Sequence, residues 1–178
     1  MKQPTRNVLI RYCMGDFARA IFNGLITSYL IYVYIPKENS TMPELLLKAS
    51  LTFAVLRGIG AIVDAFIDLF IASWSDHLKN KHGRRIPFLR AAVFPWVISS
   101  ALLVLVPFNY PHWFNTLWLG FWMSVYFLSS SFYLVPYGAL ASEIVTDTKQ
   151  RMSFYTVSTF FFVIGSAFIY ITPLFQNI

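Results

Sequence analysis

Residues 46–74 read LLKASLTFAVLRGIGAIVDAFIDLFIASW. The run exceeds the roughly 20 apolar residues that cross a hydrocarbon core about 30 Å thick. It nevertheless carries Arg57, Asp64 and Asp68, and a charge at a helix centre costs about 2.5–3.5 kcal/mol on insertion scales. Such a stretch reads as a membrane helix that keeps charges for a purpose. Outward from it, four more runs of spanning length occur, at 9–35, 87–108, 113–141 and 152–173. The expected fold class is therefore all-α: a single polytopic transmembrane domain over 1–178 with about five spans. Pro95 and Pro136, inside the third and fourth runs, are expected to kink them.

Composition agrees with this reading. Of 178 residues, 57% are hydrophobic and only 12% charged, with a mean hydropathy of +0.57. A soluble domain carries about 25% charged residues, so a soluble enzyme and a nucleic-acid module are excluded. A single cysteine, Cys13, rules out an internal disulfide, and no Cys/His cluster suggests zinc. His77, His82 and His112 all fall in connectors, and no nucleophile with an acid/base partner is apparent, so no enzyme is expected.

The net charge of +6 is explained by where the basic residues fall. Lys2, Arg6 and Arg11 precede the first run; Lys79, Lys81, Arg84, Arg85 and Arg90 surround the connector at 75–86; Lys149 and Arg151 lie in or beside the one at 142–151. Only Lys37 and Lys48 belong to the other side. By the positive-inside rule the N-terminus and both basic connectors are cytoplasmic. This is an insertion signal for an integral protein of the plasma (inner) membrane, with the lipid bilayer as its partner and no nucleic acid. The first run is too long and too charged for a signal peptide.

The charges inside the spans share helix faces. Asp16, Arg19, Asn23 and Thr27 follow steps of three, four and four, and Arg57, Ala61, Asp64 and Asp68 steps of four, three and four. Three carboxylates and two guanidiniums leave a residual −1, which a low dielectric disfavours. A bound Na+ or a proton would cancel it, and the Asp64/Asp68 pair is its natural place, because two carboxylates one turn apart repel. The plainer reading is an Asp16–Arg19 structural ion pair, with Arg57 reaching toward headgroups.

Four motifs then stand in order along the chain: Gly15-Asp16-Phe17-Ala18; Asp64-Ala65-Phe66-Ile67-Asp68; Ser75-Asp76 followed by Gly83-Arg84-Arg85-Ile86-Pro87; and Pro136-Tyr137-Gly138-Ala139-Leu140 followed by Asp147 and Arg151. Together they resemble the glycoside–pentoside–hexuronide:cation symporters, the melibiose-permease group of the major facilitator superfamily. The resemblance implies symport of a sugar-like solute with sodium, lithium or a proton by alternating access. It implies that Asp64 and Asp68 bind the cation and that Asp16 helps bind substrate. Arg19, Asn23, Arg57 and Tyr137 are candidates to face the solute with it. Asp76, Arg84, Arg85, Asp147 and Arg151 would make cytoplasmic gate contacts, where the plainer reading is a solvated insertion signal. The chain departs from the group at three places. A third aspartate is replaced by Leu134, a substrate-binding arginine falls at Ser158 or Thr159, and another arginine falls at Ala61. Relatives in the same branch carry lysolipids, the alternative substrate.

A transporter of this superfamily has two six-helix halves, and five spans make an incomplete N-terminal half. The expected partner is a second transporter half or another membrane subunit. The competing expectation is a non-transporting subunit, or a decayed relative, that packs against a larger membrane complex.

Overall fold

The computed structural model describes the backbone over residues 6–35, 44–77, 85–145 and 147–175. These residues form α1 (Arg6–Gly24), a π-helical turn (Leu25–Tyr29), α2 (Leu30–Tyr34), α3 (Ala49–His77), α4 (Ile86–Val104), α5 (Trp113–Ile144) and α6 (Thr148–Phe175). The first three elements are one continuous helical run. By length and composition, α4 and α5 are long and apolar enough to cross a membrane. In α1 and α3 the internal charges dilute the apolar character.

Two helix edges differ from the sequence expectation for local reasons. The second run starts its helix at Ala49 because Lys48 sits at φ 53°, in the left-handed region. The third ends at Val104, where Leu105 turns extended with ψ 105°; Pro107 follows and disfavours the helical region for its predecessor. Pro95 and Pro136 lie within α4 and α5, which are continuous helices on either side of them.

The chain divides into two compact units, one of residues up to Ile31 with those from Ala141 onward, the other from Tyr32 to Leu140. In the first, α1 and α6 run side by side and parallel. Cys13 Sγ meets the Phe154 carbonyl at 3.8 Å, and the Tyr12 and Phe154 rings lie 5.3 Å apart. Further along both helices, a Cβ on Gly165 would stand 2.5 Å from the Phe17 carbonyl oxygen and 2.8 Å from Ala20 Cβ. Only glycine permits this approach. Small residues let membrane helices come close enough for dispersion to hold them. Cys13, Ala141, Val145 and Phe154 form the buried core. The π turn follows a competition for a carbonyl: the Thr27 hydroxyl donates to Asn23 O at 2.9 Å, and the Leu30 amide reaches back to Leu25 O.

The second unit holds the end of α2, all of α3 and α4, and most of α5. Phe127 lies against Gly60, where a Cβ would be 2.6 Å from the ring, and Leu56 lies against Gly120. Tyr34 donates to Leu103 O at 3.1 Å, and the Trp118 indole to Leu102 O at 3.0 Å. The connector ends are tied by Asn115, which is fully buried. Its amide nitrogen faces the carbonyls of Leu45, Phe108 and Tyr110 at 2.9–3.1 Å, and its amide oxygen accepts from Phe108 N at 3.2 Å. Asn115→Leu would strand those backbone groups, at about 1–3 kcal/mol for a buried unsatisfied group. A lowered melting midpoint in detergent with unchanged helix content is the expected result; an unchanged midpoint counts against it.

Candidate functional site

Each unit carries a polar cluster between two of its helices. In the first, Asp16 is 2% exposed on α1. Arg19, one turn on, brings Nε to within 3.1 Å of Asp16 Oδ1, and the Ser158 hydroxyl on α6 donates to Oδ2. The Arg19 guanidinium also lies over the Phe162 ring, 4.9 Å from its centroid. A buried carboxylate is tolerable only when paired and hydrogen-bonded, and here one oxygen is ion-paired with the guanidinium and the other accepts the Ser158 hydroxyl. Phe162 adds a cation–π contact and holds the guanidinium toward α6. Asn23, on the same stripe of α1, has an exposed side chain.

Ser158 is a residue that sequence reasoning undervalued. It is one of the two positions, Ser158 or Thr159, at which the resemblance calls for an arginine, and the positive charge in this cluster comes from Arg19. Removing the hydroxyl leaves Asp16 Oδ2 without that donor in a buried site, at about 1–3 kcal/mol. Ser158→Ala should therefore lower the melting midpoint, and Ser158→Thr, which keeps the hydroxyl, should restore most of it. Equal midpoints for the two variants would refute the role.

In the second unit, Asp64 and Asp68 are half-buried, one turn apart on α3. The Ser131 hydroxyl on α5 donates to Asp64 Oδ1. Asp68 Oδ1 is buried and accepts no hydrogen bond among the described residues. Ser131 follows two other buried serines. Ser129 and Ser130 turn back onto their own helix, to Val125 O at 2.7 Å and Phe127 O at 2.8 Å. Ser131 alone of the three reaches across to α3. It lies one turn before Leu134, so a hydroxyl enters from the helix on which the sequence lacks a third aspartate. Among the described residues no three His, Cys, Asp or Glu side chains gather as a metal cluster. Two carboxylates and a hydroxyl are hard oxygen donors, suited to a small hard cation or a proton.

The other candidates fall nearby or at the helix ends. Arg57 is half-buried two turns before Asp64. Tyr137 is buried on α5 and stacks on Tyr133 at 5.2 Å. Arg85 is half-buried just before α4 and its carbonyl accepts from Leu89 N. Arg151 donates from Nε to Val145 O at 2.9 Å, while its backbone amide binds Asp147 O. A basic side chain on a last carbonyl is a helix C-terminal cap, so Arg151 ties the start of α6 to the end of α5. Asp147 is exposed. The Asp76 side chain and Arg84 lie outside the described residues.

Known proteins resemble this chain over most of its length. The family model described as MFS/sugar transport protein matches residues 11–175. A Bacillus subtilis (strain 168) protein named uncharacterized symporter YnaJ is 28% identical over 156 residues, 88% of this chain and 32% of that protein. A Synechocystis protein (strain ATCC 27184 / PCC 6803 / Kazusa) named uncharacterized symporter sll1374 is 26% identical over 148 residues, 80% of this chain and 26% of that protein. The chain thus spans about a third or less of the length of these relatives. No solved structure gives a significant match.

Proposed function

The chain belongs to the MFS/sugar transport protein family, and from that premise we propose that it supplies the ion site of a cation-coupled symporter for a sugar-like solute. As a family member it is an integral membrane protein. The observation that carries the proposal is the pair Asp64 and Asp68 with the Ser131 hydroxyl on Asp64. Carboxylates at i and i+4 have Cβ atoms roughly 6 Å apart. At an effective dielectric of about 20, two full charges at that distance repel by about 3 kcal/mol. A sodium ion or a proton removes this repulsion and supplies the missing partner of Asp68 Oδ1. The ion is then bound most tightly by the conformation that brings α3 and the Ser131 segment of α5 together, which is what coupling requires.

The Asp16, Arg19 and Ser158 cluster gives the same assembly an acceptor and a fork of donors for the hydroxyl groups of a polar solute. Alternating access works by rocking one bundle against another around a midplane site. The chain therefore functions with a second helical bundle, in the same polypeptide or in another. Five spans with a cytoplasmic N-terminus belong to this proposal, and so do the gate roles of Arg85, Asp147 and Arg151.

The test is uptake of radiolabelled sugars into proteoliposomes that hold the complete assembly, driven by an imposed sodium or proton gradient. Accumulation that follows one gradient and collapses with an ionophore for that ion is expected. Gradient-independent equilibration, or no uptake by an assembly shown to be folded, overturns the proposal.

A further inference from the structure

Several segments of the second unit meet where α4 gives way to α5. Tyr34 on α2 donates to Leu103 O, and Asn115 joins Leu45 O to the carbonyls of the connector at 105–112. From Ala91 to Ser142 the sequence holds no lysine, arginine, aspartate or glutamate, and His112 is its sole histidine. His112 stands directly before α5, at the position that caps a helix. Its Nδ1 accepts from Phe114 N at 3.1 Å, and its carbonyl accepts from Asn115 N at 3.1 Å. One residue thus satisfies two of the amides that the first turn of α5 leaves without an intrahelical partner. The donor it faces assigns the ring as the neutral tautomer with its proton on Nε2.

Histidine is the side chain that changes charge between about pH 5 and 8. An imidazolium carries a proton on both nitrogens and accepts nothing. At this position it also sets a positive charge against the positive end of the helix dipole. The rings of Phe108, Tyr110 and Trp113 lie 4.7, 5.8 and 5.7 Å from the imidazole, and aromatic faces attract a cation. Acid therefore turns an acceptor on α5 into a cation that the surrounding rings can hold in another orientation. The other titratable or charged groups described on the elements packed here are four. Tyr34 and Tyr110 are phenols, a type that does not change charge below about pH 8. Glu44 and Lys48 are exposed, on the segment whose Leu45 carbonyl Asn115 holds.

We propose that His112 is a pH-sensitive clasp: when neutral it caps α5 and holds the α4–α5 connector, and when protonated it lets go and leaves the connector to the Asn115 ties. The clasp is separate from the ion and solute clusters and does not rest on the transport reading. The test is hydrogen exchange, read by mass spectrometry, on the full chain in lipid nanodiscs at about pH 8 and about pH 5. Exchange of the peptide that contains Phe114 is divided by its intrinsic rate at each pH, which gives the local opening equilibrium. Protection in the unaltered chain should fall about fivefold in acid, the loss of one N-cap. His112→Asn, a residue that caps at either pH, should keep protection constant. His112→Ala should show the lower protection at both. Glu44→Gln should keep the full acid response, since the response belongs to the imidazole. Equal protection at the two pH values in the unaltered chain, an acid response that survives in His112→Asn or His112→Ala, or one that vanishes in Glu44→Gln would each overturn the proposal.

Discussion

Asp64→Asn, placed in the complete transport assembly, abolishes ion-driven accumulation while leaving the assembly folded. The carboxylate it removes is one half of the pair on α3 and accepts the Ser131 hydroxyl from α5. With one charge gone, the repulsion of about 3 kcal/mol that recruits the cation disappears, and so does the reason for the site to fill. Asp68→Asn should have a similar effect, since Asp68 Oδ1 has no hydrogen bond among the described residues and is free to receive an ion. Ser131→Ala is expected to be milder. It removes a hydroxyl and no charge, and should raise the ion concentration for half-maximal uptake by about tenfold, the lower range for losing a supporting partner at an ion site. Uptake measured against sodium concentration and pH separates these outcomes. Both aspartate variants keeping full ion dependence would sink the ion-site assignment, and a Ser131→Ala curve superimposable on that of the unaltered protein would remove Ser131 from it.

Gly165→Val should have the largest effect on the folded state. Its Cβ would lie 2.5 Å from a backbone oxygen of α1 and 2.8 Å from Ala20 Cβ, and neither is the movable end of a flexible side chain. The helices must separate, at about 1–3 kcal/mol or more for overpacking. Separation also draws Ser158 from Asp16 and leaves a buried carboxylate with one donor fewer. Cys13 reports on this directly. It is the sole cysteine, fully buried, in the core shared by the two helices. Maleimide labelling of Cys13 should be at least about tenfold faster in Gly165→Val, matching an opening equilibrium shifted by 1.4 kcal/mol or more. A labelling rate and melting midpoint equal to those of the unaltered chain would show that the close approach at Gly165 is not needed.

Much of the architecture was legible in the residues. Each long apolar run corresponds to a helix, because in lipid the backbone must satisfy its own hydrogen bonds. Helix edges at Lys48 and Leu105 differ from the apolar runs, because one depends on a left-handed backbone and the other on an extended residue, neither of which hydropathy reports. The polar stripes of α1 and α3 were legible from periodicity alone. Asn115 was not: an asparagine in an apolar helix has no local signature for three carbonyls in other segments. Ser131 and Ser158 were hidden similarly, among serines of ordinary membrane-helix type, and Ser129 and Ser130 show how such hydroxyls usually end on their own helix.

The sequence by itself determined that the chain is a set of membrane helices, that acidic and basic groups are kept inside them, and that these groups share faces. Those properties follow from hydropathy and the 3.6-residue repeat, which involve only neighbours along the chain. Tertiary structure alone decided what the charges meet. Asp16 finds Ser158 and Asp64 finds Ser131 across separations of 142 and 67 residues. A hydrogen bond depends on ångström-scale placement of two atoms, and only the packing of one helix on another, at glycines such as Gly165, fixes that placement.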